Sequence, residues 1–358
     1  MSDTLIIKAG KTALAHIREN GLAPEDITAV FGASGAAKWL SIYGLDRAVF
    51  SQWLSGITHR ICLLGTSVGA WKLTAAAQQD PGRAFDRFKD AYISQTYRGR
   101  VTPQKITTES LKILNRFVPA EKIHEILSHP FLKLGFLSVR CKNAMASEKY
   151  WAQGAGVMAA ALLNLGARKT QRVFFERVLF QVPGTGKLPI DMQVFGGDPV
   201  DLDRNNFYSA LMSSGSIPLV MEGVYDIPGA QPGVYRDGGI LDYHPTFPLK
   251  SDESGFILYP HFYPYLIPGW FDKALEGRHA GGRLVDRIIL VAPSPEYVAG
   301  LPLSRIPDRK DFIRFRGNDR GRYQIWHSAA SKSLELGHRF LTVVNSGEIR
   351  EMACPFST

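Results

Sequence analysis

The chain is poor in cysteine and contains no apolar segment long enough to span a membrane. Only Cys62, Cys141 and Cys354 occur among its 358 residues, and they lie far apart. This usage argues for a reducing compartment and against a disulfide framework or a zinc site. The first twenty residues lack the long apolar stretch of a secretory signal, so we expect a cytoplasmic protein.

Other absences narrow the range of functions. No motif recurs at a fixed period, and no low-complexity segment interrupts the chain. The formal charge is +9, which would suit nucleic acid or an anionic membrane surface. However, no Lys/Arg cluster is dense enough to favour nucleic acid as a partner. The richest stretch, residues 309–322 (RKDFIRFRGNDRGR), is interrupted by Asp311 and Asp319 and is interpreted mainly as a solvated face.

A loop of small residues at 31–39 (FGASGAAKW) lacks the ending of a nucleotide-binding phosphate loop. Such a loop closes on Gly-Lys-Ser/Thr, whereas Ala37-Lys38-Trp39 stands here. This difference argues against a nucleotide site. Because the loop leads into a predicted helix, its backbone N–H groups are instead suited to binding an oxyanion.

The chain has enough apolar residues for a large core, and its predicted strands and helices alternate. Apolar residues make up 45% of the sequence. Strands are predicted at 26–32, 60–65, 133–142, 233–237, 255–261 and 287–293. Helices are predicted at 4–20, 69–79, 81–128, 147–165, 205–214 and about 320–345, with a loop and then a helix over 33–54. This alternation predicts an α/β fold with a mainly parallel central sheet, in a single domain over residues 1–358.

The segment 60–73 (RICLLGTSVGAWKL) contains the pattern Gly-x-Ser-x-Gly between a predicted strand and a predicted helix. In that setting the pattern is typical of a sharp turn that exposes a nucleophilic serine, here Ser67. Gly65 and Gly69 would allow chain segments to pass close to the turn. The residues alone leave two alternatives open, because a serine in an ordinary tight turn gives the same pattern.

A second polar turn, Asp237-Gly238-Gly239, follows the strand predicted at 233–237. By itself Asp-Gly-Gly is more often a plain turn than a site. An α/β-hydrolase triad would need several strands before the serine turn and a histidine partner. Only one convincing strand precedes that of Ser67, and no histidine has a distinctive setting. We therefore predict no catalytic histidine among His244, His261, His279, His327 and His338.

Four stretches in this order resemble the patatin-like phospholipase family. They are the loop GASGA (32–36), the turn GTSVG (65–69), the segment ALMSSGSIPLVM (210–221) and DGG (237–239). The resemblance covers a core of about residues 26–245, with C-terminal strands and a long helix at about 255–346. It implies a three-layer α/β/α fold and hydrolysis of acyl esters by a Ser–Asp dyad, with no metal and no cofactor. Ser67 would then be the nucleophile and Asp237 its base.

The same resemblance assigns the supporting residues. The oxyanion hole would use backbone N–H groups of Gly32, Ser34, Gly35 and Val68. Gly65, Gly69, Gly238 and Gly239 would support the two turns. In this chain Ala33 and Ser34 stand where the family usually has glycine, and Lys38 is the nearest candidate for the basic residue that follows.

The aromatic segment 259–271 (YPHFYPYLIPGWF) is interpreted either as a loop that covers the core or as a lipid-contacting surface. We predict that it lies at the rim of the active-site cleft, with some of Phe262, Tyr263, Tyr265, Trp270 and Phe271 exposed. The expected partner is a lipid or another acyl ester, with peripheral contact to a membrane surface. Two alternatives remain: a soluble esterase with the same dyad, and a non-catalytic binder of lipid or protein.

Overall fold

The computed structural model describes residues 4–97, 99–185, 188–192 and 198–356. Its strands are β1 (Leu5–Ala9), β2 (Ile27–Gly32), β3 (Ile61–Thr66), β4 (Leu132–Cys141), β5 (Phe175–Gln181), β6 (Val200–Asp201), β7 (Val224–Tyr225), β8 (Val234–Asp237), β9 (Phe256–Pro260), β10 (Ile288–Pro293) and β11 (Ala353–Pro355). All six predicted strands are present within this set.

The helices of the described residues are α1 (Lys11–Asn20), α2 (Tyr43–Ala48), α3 (Val68–Ala76), α4 (Pro81–Ile93), α5 (Pro103–Phe117), α6 (Ile123–Leu127), α7 (Tyr150–Gly166), α8 (Phe207–Ser214), α9 (Pro295–Ala299), α10 (Asp311–Arg314), α11 (Asp319–Lys332), α12 (Leu334–Ser346) and α13 (Ile349–Met352). Short 3₁₀ turns include Ala36–Ile42, Gly238–Ile240 and Trp270–Asp272. Within the described ranges, no helix combines the length and the apolarity that crossing a bilayer requires.

The strands form one mixed sheet in the order β11-β1-β10-β9-β2-β3-β4-β5-β6. Its centre, β10-β9-β2-β3-β4, is parallel throughout. β1, β5 and β8 pair antiparallel with their neighbours β10 and β4. Every residue of β3 is buried, as expected for a strand covered on both faces. The prediction of an α/β fold with a mainly parallel sheet is therefore confirmed.

The prediction of a helix over 4–20 is wrong at its beginning. Leu5, Ile7 and Ala9 are buried in alternation with less buried neighbours, and they form β1. This strand pairs with β10 on one side and β11 on the other, so pairing with distant residues decides its conformation. The helix begins only after Gly10.

Two long predicted helices are also interrupted. The segment 81–128 contains α4, α5 and α6 with loops between them, and the Thr102 hydroxyl caps α5 by accepting the Lys105 N–H. The helix predicted at 320–345 divides into α11 and α12 at Ser333. The hydroxyl of Ser333 accepts a hydrogen bond from the Gly44 N–H at 2.7 Å, which attaches the point of division to α2.

β5 is a further strand to which the sequence analysis assigned no element.

Candidate active site

Ser67 and Asp237 meet because two strands end at the same point along β4. β3 pairs with β4 as far as Thr66 opposite Leu137, and β8 ends at Asp237 opposite Ser138. Because β5 occupies the other edge of β4 along these residues, β3 and β8 lie end to end on one edge. They run in opposite directions, so their final residues face each other. This arrangement unites side chains 170 positions apart in the sequence.

Ser67 occupies a strained turn between β3 and α3. Its backbone has φ 54° and ψ −130°, a conformation that residues other than glycine rarely adopt. The Ser67 N–H donates to the Ser214 hydroxyl at 3.1 Å, and that hydroxyl donates to the Leu137 carbonyl at 2.7 Å. The surrounding structure thus holds the turn in place. A strained turn between a strand and a helix is the backbone geometry that the Gly-x-Ser-x-Gly pattern predicts.

Glycines allow the turn to pack against the loop that follows β2. A Cβ on Gly69 would lie 2.2 Å from the Gly32 carbonyl oxygen, and one on Gly65 would lie 2.5 Å from the Ala70 nitrogen. Neither distance is compatible with a side chain. Gly32, Gly65 and Gly69 therefore let the backbones of the two loops touch beside Ser67.

The side chains of Ser67 and Asp237 form the hydrogen bond expected of a dyad. The Ser67 hydroxyl donates to Asp237 Oδ2 at 2.8 Å, and the Gly239 N–H donates to Asp237 Oδ1 at 2.7 Å. Each residue is 7% exposed. Burial raises the pKa of Asp237 to about 6, although these two hydrogen bonds and the charges of Lys273 and Arg309 act in the opposite direction.

The turn after Asp237 is equally dependent on glycine. A Cβ on Gly238 would lie 2.1 Å from the Leu137 carbonyl oxygen, and one on Gly239 would lie 2.2 Å from the Ser34 hydroxyl. The small-residue loop, the serine turn and the Asp-Gly-Gly turn therefore converge at one place. β2 and β3 are adjacent and parallel, so the loops that follow them meet at the same edge of the sheet.

The predicted set of oxyanion donors needs correction at Ser34. The Ser34 N–H already donates to the Tyr243 carbonyl at 2.8 Å, and the Ser34 hydroxyl donates to Thr66 Oγ1 at 2.9 Å. Ser34 therefore ties loops together. Gly32 packs on Gly69 and lines neither of the cavities described below. Within the described residues the N–H groups of Gly35 and Val68 have no acceptor, so the donor role stays with them as a prediction.

Two cavities reach Ser67. The first has a volume of about 240 Å³ and contains both Ser67 and Asp237. Its apolar lining comprises Met145, Val157, Phe175, Ile217, Pro218, Leu219, Ile240, Trp270 and Phe271. The second is larger, about 1390 Å³, and reaches Ser67 and Val68 beside Trp71 and Met221. Ser67 therefore lies where two largely apolar chambers meet, and we call the first chamber, which contains Ser67 and Asp237, the dyad cleft.

Four cations line the dyad cleft, and of these only Lys38 was singled out by the sequence analysis. Lys38, Lys273, Arg309 and Lys310 line it. Arg309 and Lys310 are exposed, as the interpretation of 309–322 as a solvated face predicts, and they also line the cleft. Within the same stretch Arg322 is fully buried. Neither position nor composition distinguishes these cations in the sequence, because the sheet topology alone brings them to Ser67.

The five candidate histidines lie outside both cavities that reach Ser67. His244 and His261 are fully buried and pack edge to face, with ring centroids 4.2 Å apart. Burial lowers the pKa of His261 to about 3 and that of His244 well below its ordinary value. None of the five candidate histidines lines either cavity. The absence of a catalytic histidine remains a prediction.

The two halves of the aromatic segment 259–271 differ in burial. Tyr259 and Pro260 belong to β9, and Phe262 is 2% exposed, so the first half is core rather than a protruding loop. Tyr265 and Trp270 are each 38% exposed, and Trp270 and Phe271 line the dyad cleft. The predicted position at the rim thus holds for the second half.

Comparison with known proteins identifies no family for this chain. No family model matches the chain, and no curated protein matches it significantly. A functional assignment therefore depends on the residues and their arrangement.

Proposed function

We propose that the chain is an acyl-ester hydrolase with Ser67 as nucleophile and Asp237 as base. The observation that carries the proposal is the 2.8 Å hydrogen bond from Ser67 to Asp237 Oδ2 at a strained strand-to-helix turn. The order of the small-residue loop, the serine turn and the Asp-Gly-Gly turn supports a patatin-like hydrolase with a three-layer α/β/α arrangement. The apolar lining of both cavities suits an acyl chain.

The raised pKa of Asp237 supports its role as a base. With a pKa of about 6, the carboxylate is mostly ionised at neutral pH and yet binds a proton more strongly than an ordinary aspartate. In the proposed first step Ser67 Oγ attacks the ester carbonyl carbon while its proton passes to Asp237 Oδ2. The N–H groups of Gly35 and Val68 would donate to the resulting oxyanion, each lowering the barrier by about 3 kcal/mol.

The reaction then continues through an acyl-enzyme. The tetrahedral intermediate expels the alcohol, which takes the proton from Asp237, and the acyl group remains on Ser67. Water attacks this ester while Asp237 accepts its proton. Breakdown of the second intermediate releases the carboxylic acid and returns the proton to Ser67 Oγ. Asp237 thus acts alternately as base and acid.

The test is hydrolysis of a soluble short-chain ester by the parent and by Ser67→Ala. We expect a loss of at least about 10³-fold in kcat/KM, as for other catalytic nucleophiles. Ser209→Ala is a matched control, because the Ser209 hydroxyl donates to the nearby Asn206 carbonyl and Ser209 lines neither cavity. Equal activity in Ser67→Ala and the parent, or no hydrolysis of any ester by the parent, would overturn the proposal.

We also propose that the hydrolase contacts lipid through an apolar face of α7. Tyr150 and Trp151 are each 73% exposed, Met158 63%, Leu162 62% and Leu165 60%. α7 contains no charged residue, whereas exposed Lys149, Lys169 and Arg172 flank it. Such a face with cations at both ends suits an anionic lipid surface.

The position of α7 relates this face to the site, because Val157 of the same helix lines the dyad cleft. Replacing Met158 and Leu162 together by Gln should reduce sedimentation with anionic vesicles and hydrolysis of vesicle-borne ester. Leu111→Gln, at an apolar position 39% exposed on α5, serves as the control. Unchanged vesicle binding in the double variant would exclude α7 as the lipid contact.

A further inference from the structure

The two cavities that meet at Ser67 differ in size and in their access to the base. The dyad cleft has a volume of about 240 Å³, and the other cavity, which we call the larger chamber, has a volume of about 1390 Å³. Ser67 lines both of them, whereas Asp237 lines the dyad cleft and not the larger chamber. The base therefore lies on one side of the nucleophile, and most of the space lies on the other side.

The segment 217–221, which follows α8, forms the wall between the two cavities. Its first residue, Ile217, lines both; the next two residues line the dyad cleft, and the last two line the larger chamber. In the middle of the segment Leu219 has φ 63°, a left-handed conformation that residues other than glycine rarely adopt. The Leu219 N–H donates to the side-chain oxygen of Gln153, a buried residue of α7. The surrounding structure thus holds the wall in a strained conformation.

The chemistry of the dyad constrains the position of the alcohol half of an ester. The departing alcohol takes its proton from Asp237, so its oxygen must lie within hydrogen-bond reach of Asp237 Oδ2. In the tetrahedral intermediate the central carbon carries Ser67 Oγ, the oxyanion, the alcohol oxygen and the acyl chain. With the alcohol oxygen turned towards Asp237, the acyl chain takes the remaining direction, which leads away from the base.

The second half of the reaction constrains the acyl chain in the same way. The water that attacks the acyl-enzyme gives its proton to Asp237, so it must occupy the place beside Asp237 that the alcohol has left. A long acyl chain within the small dyad cleft would fill that place and hinder deacylation. A chain that lies outside the dyad cleft leaves the place free for water.

The larger chamber has a lining and a volume that suit a long chain. Val68 and Trp71, in the first turn of α3 after Ser67, line it and are each 5% exposed. Ile113 of α5 and Met221 also line it and are buried. Its volume exceeds the range of about 300–1,000 Å³ that is typical of small-molecule pockets, whereas the volume of the dyad cleft falls below that range.

We propose that the larger chamber binds the acyl chain and the dyad cleft binds the alcohol, with the segment 217–221 as the specificity-determining wall between them. The substrate is then an ester of a long or bulky acid with a compact alcohol. The inference rests on the proposed hydrolase activity and deepens it by assigning the two halves of the substrate. The competing orientation places the acyl chain in the dyad cleft, and the apolar lining of both cavities does not by itself decide between the two.

The experiment compares two isomeric esters, ethyl octanoate and octyl acetate, at concentrations at which both are dissolved as monomers. The isomers contain the same atoms and differ in whether the long chain belongs to the acid or to the alcohol. Their overall apolarity is therefore closely similar, and no lipid surface takes part. We expect the parent to prefer ethyl octanoate by at least about tenfold in kcat/KM, because only the larger chamber accepts the long chain.

Two matched substitutions on opposite sides of the wall test the assignment. Val220 lines the larger chamber, Val157 of α7 lines the dyad cleft, and both are partly buried. Val220→Phe should lower the preference for ethyl octanoate by about tenfold, because the added ring occupies the acyl site. Val157→Phe should raise the preference, because the ring narrows the alcohol site. Leu111→Phe, at an exposed position that lines neither cavity, should keep the parental ratio.

The crystal structure of a covalent adduct of the parent gives a second measurement, which does not depend on the folding of a variant. The reagent is an octylphosphonate diester with one ethyl and one nitrophenyl group. Ser67 Oγ bonds to phosphorus, nitrophenolate leaves, and the hydroxyl proton passes to Asp237. The octyl chain then stands where the acyl chain of a substrate would be, and we expect it to contact Ile113 and Met221. An octyl chain within the dyad cleft would overturn the assignment.

The outcomes separate this inference from the proposed activity. Equal kcat/KM for the two isomers in the parent, or a preference for octyl acetate, would overturn the assignment of the chambers and leave the hydrolase intact. A ratio that rises in Val220→Phe and falls in Val157→Phe would establish the reverse orientation. Hydrolysis of a soluble short-chain ester but of neither isomer would also overturn the assignment alone. If the parent hydrolyses no ester at all, the hydrolase proposal itself fails.

Discussion

Asp237 and Asp242 lie five residues apart, and both carboxylates are buried, but their partners differ in charge. Asp242 accepts two hydrogen bonds from the buried Arg177 guanidinium, each 2.7 Å long, and Arg168 lies 3.6 Å away. Asp237 accepts from a hydroxyl and a backbone N–H, both neutral. Burial alone therefore does not define a functional carboxylate. A carboxylate in a bidentate ion pair holds the fold, whereas one with neutral donors keeps its affinity for a proton.

The two residues nevertheless belong to one structural unit. The Thr66 hydroxyl, next to Ser67, donates to the Asp242 carbonyl at 2.9 Å. The Arg177–Asp242 pair thus fixes the chain that closes over the end of β3. One aspartate secures the site mechanically, and the other is left available for chemistry.

The largest expected effect is on catalysis at Asp237. Asp237→Asn keeps the shape of the side chain but removes the base, so kcat/KM for a soluble short-chain ester should fall by about 10³- to 10⁴-fold. Circular dichroism of the variant should match the parent. Retention of more than a tenth of the parental activity would contradict the assignment of Asp237 as base.

The next effect is on stability at Asp242. Asp242→Asn leaves the Arg177 charge buried without its counterion, and the free energy of unfolding in urea at pH 7 should fall by about 3–5 kcal/mol. Glu335→Gln is the control, because this carboxylate is largely exposed and lies 3.6 Å from Lys332. Its effect should stay within about 0.5 kcal/mol. A loss below about 1 kcal/mol in Asp242→Asn would contradict the claim that the Arg177–Asp242 ion pair stabilises the fold.

The smallest expected effect is an increase in the free energy of unfolding when Asp237 is replaced. Burial raises the pKa of Asp237 from its usual value to about 6, so between about pH 4 and pH 6 the folded protein retains a proton that the unfolded chain has lost. Stability contributed by this group therefore falls as pH rises through that window. Asp237→Asn should increase the free energy of unfolding at pH 7 by about 1–3 kcal/mol.

The pH dependence checks the cause of this gain. Urea unfolding of the parent and Asp237→Asn at several pH values should show the gain shrinking as the pH falls towards 4 and approaching zero near about pH 3, where the folded and unfolded aspartate are both protonated. A gain that is the same at pH 4 and pH 7 would point to packing rather than to the ionisation of Asp237.

The sequence by itself determined the local features of this protein. The buried strand, the glycines and the serine of residues 61–69 predict a sharp strand-to-helix turn, because short-range sterics decide where a Cβ is tolerated. Alternating apolar strands and helices predict the parallel centre of the sheet. The nearness of Ser67 to Asp237 was expected from a family resemblance, not from local chemistry.

Tertiary structure decided which distant groups meet. β3 and β8 end face to face because they share one edge of β4, and Lys273 and Arg309 reach the cleft through turns whose sequences carry no signal for it. The Ser34 N–H is used by Tyr243, more than two hundred positions away, which no reading of the loop alone reveals. Residues 5–9 are a strand only because β10 and β11 pair with them. Local propensity is a property of a few neighbouring residues, whereas strand pairing and charge at a site depend on segments far apart in the chain.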